Sequence, residues 1–465
     1  MKYNKLLFCI FILILVICTP VNALTITHPE QNDMTVSENG IFFSGKIGKY
    51  EKIFINGIPI KPQKRGAFSY CFPLKEGENI FAIQKKDWLI NTETIKYTIT
   101  RVSPVTEKTH NQFIEQDKKY YKTIKDRVVL RSTPIDKGMN RLGYLPENTK
   151  VVIDGQTNEF SRVYLTKDNY AWVFTNDLTL SEEDNKEEIF SYKPQTILDT
   201  NQIKNKKETT TVIELSDNCP YSAVADDNKL IVTVYNLDTP DECYSKEYNL
   251  EKFPRYSVCM QNNILYITMK KNPISKSYSN RDVKIVIDAG HGGSENGAIG
   301  CLGDKEKFLN LDVALKLKKI LEAHNFDVYL TRETDCFLSL NDRVKFAQDK
   351  DALIFISIHL NSVPISDDPN LNRGSIVFYF NPQSKNLAKS LSKTISQDLK
   401  TVDGGSSQAS YAVIRPTEYI GALVELAYLV NPQDVAIYKN KKFAKTSAMA
   451  IYKGLANYIH TELEK

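Results

Sequence analysis

Two of the six histidines in this 465-residue chain directly follow short apolar runs. His291 comes after Ile285-Val286-Ile287-Asp288-Ala289-Gly290, and His359 after Phe355-Ile356-Ser357-Ile358. Glu425 lies inside a third run, Ala422-Leu423-Val424-Glu425-Leu426, where a carboxylate is costly unless paired or bound to a cation. Glu306 opens a helical pattern, in the connection leaving His291. Singly, each has a structural reading: a strand-end histidine is more often a satisfied structural residue, and an acid opening a helix complements its dipole. Arriving together after neighbouring strands, they suit a divalent metal. A catalytic zinc commonly takes three nitrogen or oxygen ligands and leaves a fourth position for water. Two imidazoles and one carboxylate leave such an ion positively charged, able to bring the pKa of its water to about 7. Glycines 290, 292 and 293 let the backbone pass close to an ion without side-chain clashes.

The elements that must position these groups are legible from Arg281 onward. Apolar runs at 285–287, 328–330, 353–358, 376–380 and 422–426 alternate with helical segments near 307–324, 339–348, 385–400 and 443–462. In the first helix Leu309, Val313, Leu317, Ile320 and Leu321 fall on one face at 3.6-residue spacing. Strands apolar on both faces and alternating with helices predict a C-terminal α/β domain over 281–465, with a mostly parallel sheet flanked by helices. Functional groups in such sheets gather beyond the carboxyl ends of the strands, where His291 and His359 stand.

The rest of the chain reads as small all-β domains. Residues 24–102 alternate in short runs broken by Asn56-Gly57 and Gly77-Glu78-Asn79, which predicts a β-sandwich; it resembles immunoglobulin- or cadherin-like surface modules. Residues 103–122 read as a linker or short helix. The order Val128-Val129-Leu130, Leu142-Gly143-Tyr144-Leu145 and Tyr170-Ala171-Trp172-Val173 resembles a bacterial SH3-like barrel over 123–182. A second linker, 183–209, precedes a small β domain at 210–275 that is similar to envelope-localising modules. At the start, Lys2 and Lys5 precede an apolar run to Cys18, and Val21-Asn22-Ala23 offers a cleavage site. Residues 1–23 therefore predict a secretory signal peptide and a mature protein in the periplasm or cell wall. An oxidising compartment permits up to three disulfides among Cys71, Cys219, Cys243, Cys259, Cys301 and Cys336. Buried free thiols are the alternative. A net charge of +4 is compatible with an anionic polymer but lacks the concentrated basic patch of a nucleic-acid binder.

Several motifs recur in order. Val286-Ile287-Asp288-Ala289-Gly290-His291-Gly292-Gly293 is followed by Gly297-Ala298, Glu306-Lys307 and Asn310-Leu311. Thr331-Arg332, Asp342-Arg343, Ser357-Ile358-His359-Leu360-Asn361-Ser362, Val424-Glu425-Leu426 and Asn431-Pro432 come after them. The series resembles the amidase-3 family of N-acetylmuramoyl-L-alanine amidases over about 284–460. The resemblance implies zinc held by His291, Glu306 and His359, with Glu425 as catalytic carboxylate. It implies peptidoglycan as substrate, with cell-wall or division proteins as partners of the β modules. Asn361 and Arg415 are expected to orient substrate, with structural roles as the alternative, and Asp288 to brace its loop. Departures are Glu295, where the family has a shorter acid, Ala427, where a glycine is common, and a connection from Asn361 to Gly374 too short for the inhibitory helix of related division amidases. Competing readings are an inactive wall-binding scaffold and a different zinc hydrolase of the wall, such as a carboxypeptidase or deacetylase.

Overall fold

The computed structural model describes residues 24–87, 92–103, 112–136, 138–182, 195–237, 243–272 and 279–463; the expected leader over 1–23 lies outside them. In the C-terminal region six strands form one sheet in the order Asp327–Leu330, Lys284–Ala289, Ile354–Asn361, Ile420–Tyr428, Ser375–Tyr379, Asp403–Gln408. Neighbours run parallel except where Ser375–Tyr379 meets Ile420–Tyr428. The central strands are buried on both faces. Ile354, Ile356, Ile358, Ala422 and Val424 pack against the helices Glu306–Ala323, Lys385–Leu399 and Phe443–Tyr458. Val286, Phe355 and Leu423 pack on the other face with Ala347 of the helix Leu340–Asp349 and with Val413 and Ile414. Because strand side chains alternate, Asp288, Ser357, His359 and Glu425 share that second face.

The edge strand Asp403–Gln408 has no apolar pattern and is held by pairing with Ser375–Tyr379. It is absent from the sequence reading for that reason.

The β modules precede this domain. Over 25–101 a three-stranded and a five-stranded sheet enclose one core that includes Ile41, Phe43, Phe68, Phe81 and Ile83. Seven strands between 114 and 180 form a single sheet around Val128, Leu130, Val151 and Val163. Four- and three-stranded sheets over 197–270 share a third core.

Two expected linkers are corrected. Ile114–Thr123, inside the stretch 103–122, is a strand paired on both sides, with Lys150–Gln156 and Leu178–Leu180. Only Tyr120 and Thr123 of its ten residues are buried, so it lacks the apolar alternation of a half-buried strand. Ile197–Lys204, inside 183–209, is an exposed edge strand paired with Glu208–Leu215. The six cysteines of the described residues are all free thiols, with Cys219 and Cys301 buried.

The modules dock on the α/β domain through specific contacts. Phe42 N donates to Ile365 O at 3.0 Å, Ser69 Oγ to Val430 O at 2.8 Å, and Asn370 Nδ2 to Ser69 O at 3.1 Å. Ile365 packs into the sandwich core, while Ala67 of the sandwich joins the α/β core. The short connection that leaves His359's strand is thereby tied to the first module. From the third module, Arg255 Nη1 donates to Ala352 O at 3.1 Å and Tyr256 N to Thr417 O at 2.9 Å. Among the described residues no helix is long and apolar enough to cross a membrane.

Candidate metal centre

Chain direction and side-chain alternation bring the candidate residues together. The strand Lys284–Ala289 ends at Gly290, and His291 turns out of it in a left-handed conformation, φ +59°, which a non-glycine residue rarely holds outside a constrained site. His359 and Glu425 are direct partners in the parallel register of Ile354–Asn361 with Ile420–Tyr428. Glu306 is the first residue of its helix and is buried.

One ligand atom from each of His291, Glu306 and His359 lies within 4.8 Å of the others. His291 Nε2 is 3.1 Å from Glu306 Oε2, and His359 Nδ1 is 2.9 Å from Glu306 Oε1. The imidazole rings stand nearly perpendicular, with centroids 5.0 Å apart. Glu306 is held from behind: Ala298 N donates to Oε2 at 2.8 Å, while Leu360 N and Asn310 Nδ2 donate to Oε1 at 3.1 Å each. Burial opposes the carboxylate charge, but the bonds from both histidines outweigh it and hold Glu306 well below the usual carboxylate range. Burial likewise opposes the charged form of His291, yet Glu306 raises its pKa on balance.

Glu425 has the opposite environment. Burial first, then the charge of Glu306, raises its pKa well above the ordinary value. Its Oε2 is shut off from solvent with no hydrogen-bond partner among the described residues. An orphaned buried carboxylate oxygen beside two imidazoles and a second carboxylate is a donor set with room for a cation. The residues present therefore fit zinc.

Asp288 was expected to brace its loop; Arg343 and Arg332, which support the same loop, had no role in the sequence reading. Asp288, 1% exposed, accepts from Arg343 Nη1, Thr331 Oγ1 and Ser357 Oγ, each at 2.7 Å. Burial raises its pKa, but Arg343 and these hydroxyls bring it below the ordinary value. Arg343 also donates to Ala289 O and His291 O at 2.9 Å each. Arg332 donates to Ala289 O, Gly290 O and Lys307 O. Two guanidinium groups thus fix the backbone that presents His291.

Glu295 lies 4.0 Å from His291 Nδ1, on the solvent side and outside the cluster. Asn361, two residues past His359, caps Ser362 N at 2.8 Å and makes no polar contact with the cluster among the described residues. Arg415 lies outside the pocket that holds His291 and His359. The turn Ala412–Ile414 presents Tyr411, Ala412 and Val413 to the pocket of about 150 Å³ that holds His291 and His359. Arg415 instead faces the second and third β modules. Tyr411 is one pocket residue the sequence reading missed; no pattern around it distinguishes it from a loop aromatic.

Fold and site define an α/β domain with a candidate metal centre at its strand ends. Residues 285–457 match the amidase-3 family, described as N-acetylmuramoyl-L-alanine amidase. The chain is 36% identical over 197 residues to a probable cell wall amidase, LytH, of Staphylococcus saprophyticus, covering 42% of this chain and 64% of that protein. It is 34% identical over 178 residues to the N-acetylmuramoyl-L-alanine amidase LytC of Bacillus subtilis, covering 37% of this chain and 35% of that one. The chain thus spans less than two thirds of the length of these curated relatives. It is also similar to the solved catalytic domain of CwlV, an N-acetylmuramoyl-L-alanine amidase from Bacillus (Paenibacillus) polymyxa var. colistinus: 34% identity, 38% of this chain, 98% of that one, TM-score 0.36.

Proposed function

We propose that the protein is a zinc-dependent N-acetylmuramoyl-L-alanine amidase, hydrolysing the amide between N-acetylmuramic acid and L-alanine in peptidoglycan. One observation carries this reading: within the family match, His291, Glu306 and His359 converge within 4.8 Å beside the buried, unpartnered carboxylate of Glu425. Those three residues would hold the ion. Bound zinc supplies Lewis acidity at the scissile carbonyl and makes its water acidic enough to attack near neutral pH.

Glu425 does the proton work. Its buried Oε2 has no hydrogen-bond partner among the described residues, which leaves it available to take a proton from water. As the water oxygen bonds to the carbonyl carbon, Glu425 accepts that proton. It then gives a proton to the departing nitrogen as the carbon–nitrogen bond breaks, leaving a lactyl carboxylate and a free L-alanine amine. Asp288, Arg343 and Arg332 hold the loop of His291. Asn361, two residues past His359 on the same strand, is a candidate for orienting substrate.

The signal peptide and action in the cell wall or periplasm belong to the same reading, in keeping with relatives named as cell wall amidases. So do wall-anchoring roles for the sandwich at 24–102, the SH3-like unit that includes 123–182, and the β domain that includes 210–275. Mass spectrometry of digested peptidoglycan tests the activity. The wild type should release intact stem peptides with a free L-alanine amine, and Glu425→Gln should lower the rate by about 10²–10⁴. Released D-alanine or acetate in place of stem peptides would identify a different hydrolase.

A further inference from the structure

A second pocket, about 210 Å³, lies where the second and third β modules meet the α/β domain, lined by Arg141, Tyr144, Tyr221, Tyr256, Phe380 and Arg415 among others. Pockets at domain junctions with apolar walls and a few convergent polar groups are the usual form of a small-ligand site. Its lining holds two guanidinium groups and no carboxylate. Arg415 gives Nε and Nη2 to Ser410, and Nη1 carries no hydrogen bond among the described residues. Arg141 Nε is shut off from solvent with no partner among the described residues. A third guanidinium, Arg131, is buried behind them and holds Asp136 at 2.9 Å. After burial, the charge of Arg141 is the next cause lowering the pKa of both Arg131 and Arg415. Asp136 offsets part of this repulsion on both Arg131 and Arg415, and neighbouring like charges are costly unless anions join them.

We propose that this junction is a binding site for the free carboxylate of a short peptide, with Arg141 and Arg415 on the anion and the tyrosines and Phe380 on its apolar body. A guanidinium fork matches a carboxylate in bidentate fashion, and the apolar walls suit a peptide terminus better than a fully hydrated phosphate. The same stretch of chain, 408–417, gives Gln408, Arg415 and Thr417 to this pocket and Tyr411, Ala412 and Val413 to the metal pocket. A peptidoglycan stem is such a peptide; that identification rests on the amidase reading, whereas carboxylate binding does not.

Calorimetric titration of the full chain with N-acetyl-D-alanyl-D-alanine, its C-terminal amide and glycerol 3-phosphate tests the site without any turnover. The free acid should bind saturably and the amide should not, and Arg141→Gln and Arg415→Gln should each weaken binding by about tenfold or more. Removing an unpaired charge at Arg141 should leave the melting temperature unchanged or higher, so loss of binding there is not loss of fold. No saturable binding, equal binding of the amide, tighter binding of the phosphate, or indifference to both variants would overturn the proposal. An inactive amidase would show instead in the digestion products, with this titration unaffected.

Discussion

Gly290 leaves its space to a histidine ring: a Cβ built there would lie 2.2 Å from Cε1 of His359. Gly290→Ala must therefore push that ring away while the paired strands on either side remain. Zinc affinity measured by chelator competition should fall by about 10–100-fold, the range for losing a residue that orients a ligand; unchanged affinity would mean that His359 does not bind. The four chemical residues were legible because imidazoles and carboxylates are conspicuous at the ends of, or within, apolar runs. The direction of a side chain was not legible. Arg415 follows the turn at Ala412–Ile414, and its sequence neighbours do not reveal that it faces the β modules rather than the metal pocket. Arg343 and Asn310 were equally silent, since they serve the site by binding backbone carbonyls and a ligand's far oxygen.

The helix Leu340–Asp349 matters through one side chain. Its start is fixed by a capping box, in which Ser339 and Asp342 bond each other's backbone N–H. That start sets Arg343 over the sheet face carrying Asp288, with both side chains nearly sealed from solvent. Arg343→Ala leaves Asp288 a buried, unpaired carboxylate and should cost about 3–5 kcal/mol of stability, read by denaturant unfolding. The double variant Arg343→Met with Asp288→Asn should recover part of it. A loss below 1 kcal/mol in the single variant would show that the pair does not hold the loop. Strands and helices of this domain could be read because each presents an apolar face to a layer above or below. Asp403–Gln408, with two glycines and two serines, has no such face and exists only through its neighbour.

Across the molecule, the edge between β modules and α/β domain is where sequence reading failed most. Strands such as Ile197–Lys204 are polar because they lie at a sheet edge with both faces largely in water. The contacts that dock the first module are single side chains without a pattern. His28 gives that module a pH response. It sits against Phe42, with ring centroids 5.1 Å apart, and near Ser44 Oγ, and burial lowers its pKa from 6.5 to about 4. The unfolded chain therefore takes up the proton first as pH falls. Stability is full above about 6.5 and is lost progressively toward 4, by roughly 2–3 kcal/mol. Phe42 also holds Ile365 of the α/β domain, so the same acid range should loosen that docking. Thermal melts from pH 7.5 to 4 should fall more steeply for the wild type than for His28→Asn; parallel curves would remove His28 as the cause.

Metal stoichiometry tests the central claim most directly. Full-length protein stripped with chelator, reloaded with zinc and desalted should carry one zinc per chain by mass spectrometry of the metal. His359→Ala and Glu306→Gln should carry far less, while Glu425→Gln should keep its full complement. A wild-type chain that retains no zinc, or a His359→Ala chain that retains as much, would contradict the account.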